Sequence, residues 1–198
     1  MKKKILVLCL LLLMTGCTIV RIDTTSIDNI VDVVLSKDNS LYNRVGIGYK
    51  YYVPRGVTYI DSNETNDRLY SNGVYYYLYL NEIGYYYKDS IKYEEKTYKY
   101  YSRKIQNGSK IGYLEITKKK NLYLIEFVYN YAKIEALVPL DDIEMTVLNS
   151  SYILSTIKYN KNIIKLSLDD GFLTTTEETY DEFTSKKESN SFLNYEKE

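Results

Sequence analysis

The sequence predicts an α+β fold, in which an antiparallel β-sheet packs against an N-terminal helix and a long C-terminal helix. Three observations predict it. Helical spacing of apolar residues occurs near the start of the domain, over about 26–36, and again late in the chain, over about 142–158. Between them, from 44 to 139, the pattern is alternation with turn signals, and most connections are short.

The first helix is predicted from four apolar residues at positions i, i+3, i+4 and i+7, which are Ile27, Ile30, Val31 and Val34. Ser26 precedes them as a candidate N-cap, and a polar run follows them. The spacing therefore favours a helix over about 26–36. A strand remains the alternative because the segment is rich in valine.

The first strands are predicted over 44–53 and 57–60, with a Pro-Arg-Gly turn at 54–56 between them. The segment 61–67 is polar throughout, so we expect a surface loop. Its oxygen-bearing side chains alternate as in a calcium loop, but it lacks the central glycine and the downstream glutamate of an EF-hand. We therefore expect no metal there.

The strongest turn signal is Asn72-Gly73, which is typical of a type I′ turn between the two strands of a hairpin. Beyond it, 81–84 interrupts the second strand, and Tyr85–Tyr87 is predicted to resume it. Asn107-Gly108 predicts another turn.

A second hairpin is predicted from 111–117 and 122–129 around a lysine-rich tip, which we interpret as a solvated turn. The next strand alternates cleanly. One face carries Ala132, Ile134, Ala136 and Val138, and the other carries Lys133 and Glu135. This pattern predicts a half-buried strand with one face in water.

The long helix, over about 142–158, is predicted to begin with a capping box formed by Asp141 and Glu144. Asp141, Asp142 and Glu144 are also the densest carboxylate cluster ahead of the acidic tail, and such a cluster could bind a hard cation or perform acid–base chemistry. The cap explains the same residues without a ligand, and we favour it. A last strand is predicted over 163–168, followed by a turn at 169–171.

The N-terminus has the layout of a secretory signal peptide. Met1 and three lysines precede the apolar run 5–14, and small residues follow it. The run is too short and too polar at its end for a membrane-spanning helix. The predicted organisation is a signal peptide over 1–16, one extracytoplasmic α+β domain over 17–180 and an acidic, mobile tail over 181–198.

Leu13-Met14-Thr15-Gly16-Cys17 resembles the lipobox of bacterial lipoproteins. The resemblance implies cleavage before Cys17 and a diacylglyceryl group on its sulfur. Two acyl chains anchor a protein stably, so the implied location is the extracytoplasmic face of a bacterial cell membrane. The alternative is a chance cysteine in an ordinary signal peptide.

The composition excludes several kinds of chemistry. The 198 residues contain no His, so a His general base, a Ser-His or Cys-His pair and a His-ligated metal are excluded. Cys9 would leave with the signal peptide and the sulfur of Cys17 would be alkylated by the diacylglyceryl group, which removes a thiol nucleophile. We predict no catalytic residues, no metal and no cofactor. The 26 basic and 26 acidic residues give no basic excess for a nucleic-acid partner.

Tyr49–Val57, with its Pro-x-Gly sequence, and Ser155–Tyr159 at the end of the long helix resemble the PsbP/Mog1-like fold, over about 44–160. This resemblance implies a fold and assigns no functional residue.

The 25 tyrosines are the unusual positive feature. Many lie in one run: Tyr75, Tyr76, Tyr77, Tyr79, Tyr85, Tyr86, Tyr87, Tyr93, Tyr98, Tyr100 and Tyr101. Strand alternation predicts that Tyr75, Tyr77 and Tyr79 share one face and that Tyr76 points the other way. The rings could form a ligand platform, but we favour core positions combined with compositional drift.

Three functions follow. The leading hypothesis is a non-enzymatic binding domain, anchored through Cys17, with a protein or envelope-polymer partner. The second is a carbohydrate- or cell-wall-binding module that uses exposed tyrosines. The third is a His-free hydrolase, which a concave site with a Ser-Lys pair or two facing carboxylates would favour.

Overall fold

The structure, a computed structural model, describes residues 22–171, 177–178 and 180, and its architecture is α+β. The helices are α1 Ile27–Leu35, α2 Glu82–Tyr87, α3 Ile143–Thr156 and α4 Lys161–Asp169. The strands are β1 Arg44–Val45, β2 Tyr49–Tyr51, β3 Thr58–Asn63, β4 Asn66–Ser71, β5 Val74–Leu80, β6 Tyr101–Asn107, β7 Lys110–Lys119, β8 Leu122–Tyr129, β9 Ala132–Val138 and β10 Lys158–Tyr159.

The predicted signal peptide, Cys17 and the 181–198 tail lie outside the described residues. Within the described part of the chain, no helix has both the length and the apolar character needed to cross a membrane.

Seven of these strands form one large sheet in the order β3-β4-β5-β9-β8-β7-β6. Every neighbouring pair in it is antiparallel. The predicted hairpins are confirmed. Asn72 and Gly73 have φ values of 48° and 84°, as a type I′ turn requires, and join β4 to β5. Asn107-Gly108 and the lysine-rich tip after Lys119 form the next two turns, from β6 to β7 and from β7 to β8.

One face of this sheet carries the main hydrophobic core, which α1 and α3 cover. The two helices pack against each other, and α3 lies across β8 and β9. Alternate residues of β9, from Ala132 to Val138, are fully buried under them. Ser150 and Ser151 of α3 are also fully buried, because small side chains let the helix approach the sheet closely.

The predicted first helix is confirmed as α1. The Ser26 hydroxyl accepts a hydrogen bond from the backbone N–H of Asn29 at 3.2 Å, and the buried face carries Ile30, Val31 and Val34. The side-chain cap and the helical period exclude the strand alternative.

The predicted capping box at the start of the long helix is wrong. A 3₁₀ turn, Leu140–Asp142, precedes α3, and the N-cap is Asp142, which makes no side-chain cap hydrogen bond in the described structure. The backbone N–H of Asp142 instead donates to the carbonyl of Pro139 at 3.2 Å. The 3₁₀ turn therefore moves the helix start one residue beyond the predicted cap.

The strand predicted over 163–168 is also wrong, because this segment is helix α4. Asn160 caps it: its side-chain oxygen accepts from the N–H groups of Asn162 at 3.1 Å and Ile163 at 3.3 Å. Ile164 and Ser167, three residues apart, form the buried face. The cap and the i, i+3 spacing outweigh the apparent alternation of isoleucine and leucine.

Tyr85–Tyr87 does not resume a strand. It lies in the short helix α2, which the Asn81 side chain caps by accepting from the N–H of Gly84 at 2.8 Å. The ring of Tyr85 stacks on that of Tyr159 at 4.4 Å. Tertiary stacking and the cap thus override the strand propensity of consecutive tyrosines.

The strand predicted over 44–53 is interrupted. Its two pieces, β1 and β2, form a separate small sheet with β10, and 46–48 turns between them. Gly48 has a φ of 86°, and a Cβ there would lie 2.7 Å from Ile164 Cγ1. Only glycine permits this turn so close to α4. Tyr49 and Tyr51 of β2 are buried in the main core.

The predicted wet face of β9 is wrong. Lys133 and Glu135 do point away from the helices, but their exposed fractions are 3% and 2%. Lys133 Nζ lies 3.5 Å from Glu135 Oε1 and also contacts the carboxylate of Glu177. Glu177 and Tyr180 therefore cover part of this face, which the strand pattern alone could not predict.

Three glutamates of neighbouring strands lie side by side on this second face. Glu115 of β7 is the register partner of Glu126 of β8, which is the partner of Glu135 of β9. We call these three residues the glutamate row.

Candidate functional site

A cavity of about 300 Å³ lies between the small sheet and the β3–β4 end of the large sheet. It is lined by Arg44, Tyr49, Tyr51, Tyr59, Thr65, Asp67 and Glu82, among others. We call it the acidic cavity. Its volume is at the lower end of the range for small-molecule sites.

The polar segment 61–67, predicted to be a surface loop, forms one wall of this cavity. β3 extends to Asn63 and β4 begins at Asn66, so the segment is a tight hairpin. Asp67 pairs with Ser62 on one side and Leu78 on the other, and its exposed fraction is 3%. The loop prediction is therefore wrong, because the end of this polar run lies beneath the small sheet.

Asp67 is held by a hydrogen bond from the core. The hydroxyl of Tyr51 donates to Asp67 Oδ2 at 2.5 Å. Burial raises the pKa of Asp67, against the opposing effects of hydrogen bonds from Ser62 and Tyr51. The second carboxyl oxygen, Oδ1, is buried and accepts no hydrogen bond from any described residue.

Glu82 is the first residue of α2, placed there by the Asn81 cap. Its exposed fraction is 2%, and both carboxyl oxygens are buried without a hydrogen-bond partner among the described residues. Burial raises the pKa of Glu82 to about 8. Gly48 brings the turn of the small sheet close to this carboxyl, since a Cβ there would lie 3.4 Å from Glu82 Oε1.

The two acids act on a shared neighbour. Burial, and then the charges of Asp67 and Glu82, raise the pKa of the Tyr49 hydroxyl. Tyr49 therefore remains a neutral phenol. Its ring stacks on that of Tyr51 with centroids 6.2 Å apart.

The remaining wall pairs a cation with an aromatic ring. The guanidinium carbon of Arg44 lies 3.4 Å from the ring centroid of Tyr59, which is within cation–π range. The cavity thus offers aromatic surface and carboxyl oxygens that still require donors. Among the residues that the structure describes, no group of three or more acidic or cysteine side chains could hold a metal ion.

The tyrosine run occupies the two faces that alternation predicts. Tyr76 lies in the helix-covered core, whereas Tyr77 points to the second face, where its ring centroid is 3.9 Å from that of Tyr180. Tyr79 is buried as well, and Tyr98 and Tyr100 are exposed. The three rings at the acidic cavity belong instead to β2 and β3.

The carboxylate cluster that the sequence suggests, formed by Asp141, Asp142 and Glu144, lies at the start of α3.

Sequence reasoning did not single out Glu82, and it placed Asp67 in a surface loop. The one available signal was an acidic residue, Glu82, directly after the apolar strand 74–80 and a capping Asn81. The two acids are separated by fourteen residues, and only the fold of the small sheet over β4 brings them to one cavity.

Comparison with known proteins gives no family assignment: no family model matches the chain, and no curated protein is significantly similar to it. The function is therefore argued from the residues and their geometry.

Proposed function

We propose that this chain is a non-enzymatic binding protein, anchored by Cys17 to the extracytoplasmic face of a bacterial cell membrane, which binds a small ligand in the acidic cavity. The observation that carries the binding site is the pair Asp67 and Glu82, two buried carboxyls at one aromatic-walled cavity. Convergent polar groups with perturbed pKa values in a concave site are typical of ligand-binding sites. The anchor is supported by the sequence of residues 1–17 alone.

The binding site is tested with the full chain purified in detergent. A chemically diverse set of small metabolites is screened for an increase in Tm, and the hits are repeated with Ser62→Phe, which fills the cavity from the exposed strand β3. We expect the hits to be lost in this variant and retained in Thr58→Phe, an exposed position of the same strand outside the cavity lining. Hits that survive Ser62→Phe, or an empty screen, would overturn the site.

The anchor is tested separately by labelling cells with an alkyne analogue of palmitate. The chain should carry the label, and Cys17→Ala should abolish it and release the protein from the membrane fraction. Cys9→Ala, within the predicted signal peptide, is the matched control and should keep the label. A labelled Cys17→Ala protein would contradict the lipid anchor.

A second candidate, the His-free hydrolase, draws on the same two carboxyls. Glu82, with a pKa of about 8, keeps its proton at neutral pH and could act as a general acid, and Asp67 would be the second carboxyl of the pair. Turnover of chromogenic glycosides or esters that is lost in both Glu82→Gln and Asp67→Asn would favour this function over simple binding.

A further inference from the structure

The unpartnered carboxyl of Glu82 limits what the acidic cavity can bind. Both of its oxygens are closed off from solvent, and no described residue donates a hydrogen bond to them. A buried polar group without a partner is uncommon in native structures and requires an explanation. A ligand that supplies the missing donor is such an explanation.

Among the residues that the structure describes, the groups around Glu82 supply no positive charge to it. On the small sheet, Tyr49 and Tyr159 are neutral phenols, and their pKa values are raised by burial and then by the nearby acids, Glu82 among them. On α4, apolar Ile164 lies against the Gly48 turn that approaches Glu82. The Nζ of Lys161, also on α4, lies over the ring of Tyr86, 5.3 Å from the ring centroid.

Acidic groups outnumber basic groups in the cavity lining. Three acidic side chains line it, Glu64, Asp67 and Glu82, against the single guanidinium of Arg44. Arg44 is stacked on Tyr59, and its charge acts on Asp67. An anionic ligand would bring no donor for the carboxyl oxygens of Glu82 and Asp67, whereas an ammonium group provides three donors and a positive charge. The tyrosine rings Tyr49, Tyr51 and Tyr59 also suit a cation.

We propose that the ligand of the acidic cavity is a small organic amine, whose ammonium group becomes the partner of Glu82. This inference rests on the proposed binding function and specifies its ligand class. A bare metal ion does not fit, since the described acids form no metal-binding group and the 300 Å³ volume is far larger than one ion. The volume instead accommodates a compact molecule such as a diamine or an amino sugar.

Binding of an amine couples to a proton. In the ligand-free site, burial holds the pKa of Glu82 at about 8, so the carboxyl is protonated at pH 7. An adjacent ammonium favours the carboxylate and lowers this pKa. Binding at pH 7 therefore releases close to one proton per ligand, and the affinity rises about tenfold per pH unit up to about pH 8.

The test is isothermal titration calorimetry on the full chain in detergent, in buffers of different ionisation enthalpy. The probes are two matched pairs: 1,4-diaminobutane with 1,4-butanediol, and glucosamine with glucose. We expect one of the amines to bind at least tenfold more tightly than its neutral counterpart, with close to one proton released at pH 7. Glu82→Gln should weaken the amine at least tenfold and abolish proton release, whereas Glu144→Gln, at the start of α3, should change neither.

The outcomes separate this inference from the proposed function. Neutral compounds could bind as tightly as amines, or anions could bind. If Ser62→Phe blocks that binding, the cavity is a binding site and the amine inference is overturned. If an amine binds and Glu82→Gln leaves its affinity and proton release unchanged, Glu82 is not its partner and the inference is overturned as well. If the Glu82→Gln chain does not fold, Tyr59→Leu provides the second variant, with at least threefold weaker amine binding expected and unchanged affinity contradicting the cation–π wall.

Discussion

Buried carboxyl groups lie on both faces of the large sheet, but they differ in how their charge is balanced. In the glutamate row, Glu115 contacts two lysines, with Lys99 Nζ at 2.8 Å and Lys96 Nζ at 2.9 Å, and Glu135 lies 3.5 Å from Lys133 Nζ. In the acidic cavity, Glu82 has no partner among the described residues.

The pKa directions follow this difference. Burial alone would raise the pKa of Glu115, but hydrogen bonds from Lys99 and Lys96 outweigh it and hold the pKa below its usual range. Burial acts unopposed on Glu82 and raises its pKa to about 8. The chain thus pairs Glu115 and Glu135 with lysines where they support the fold, and the lack of such a partner at Glu82 supports the proposed ligand.

The largest effect is expected when Lys133, the buried cation beside the glutamate row, is removed. Lys133→Met leaves Glu135 and Glu177 without their lysine in a buried site, which should lower the free energy of unfolding by about 3–5 kcal/mol. Urea denaturation measures it. Lys104→Met is the matched control, because Lys104 lies in the same cross-strand row as Lys133 but is exposed on β6. Equal losses in the two variants would show that burial of the charge has no role.

A pH-dependent effect of opposite sign is expected for Glu82→Gln. Between pH 4.5, the usual pKa of a glutamate, and about 8, the folded state keeps the proton of Glu82 and the unfolded state loses it. The free energy of unfolding of the wild-type chain should therefore fall across this window by up to about 1.4 kcal/mol per pH unit, and the variant should lack this fall. Urea denaturation from pH 5 to 8 measures it.

Glu115→Gln provides the contrast on the other face. Because the folded-state pKa of Glu115 is lowered, its contribution to stability is present above the unfolded-state pKa of about 4.5 and is lost as the pH falls below it. The difference between Glu115→Gln and wild type should thus stay constant from pH 5 to 8, where the Glu82→Gln difference grows. Parallel pH profiles for the two variants would contradict the comparison.

The sequence predicts much of the fold because local signals decide it. Asn72-Gly73 determines a hairpin, and the period of Ala132, Ile134 and Ala136 identifies a core-facing strand. Where local signals conflict, prediction fails. In α4 the apolar residues mimic alternation, and the decisive signal is the side chain of Asn160 bonding to the N–H groups of the first helical turn.

The candidate site could not be predicted in the same way, because it depends on contacts between distant segments. Asp67 is buried only because Tyr51, sixteen residues earlier, crosses over it in a separate sheet. The strand pattern predicts that Lys133 faces water, and its burial depends on Glu177, 44 residues later. A polar residue in a sequence does not indicate whether another segment will cover it.

The smallest single effects are expected from the lysines of Glu115, and their combination tests the comparison most directly. Lys96→Met and Lys99→Met should each lower the free energy of unfolding by about 0.5–1 kcal/mol, because the other lysine remains as a partner. The double variant should cost more than the two singles together, since among the partners described here only two neutral hydroxyls are left, those of Tyr93 at 3.0 Å and Thr117 at 3.4 Å. Burial would then act on Glu115 as it acts on Glu82, so the pKa of Glu115 should move from below to above its usual 4.5.

A ¹³C NMR titration of the Glu115 carboxyl measures this pKa. The control is the double variant of two exposed lysines, Lys92→Met and Lys118→Met. Additive losses with an unchanged pKa would mean that Lys96 and Lys99 behave as surface charges and that they do not hold down the pKa of Glu115.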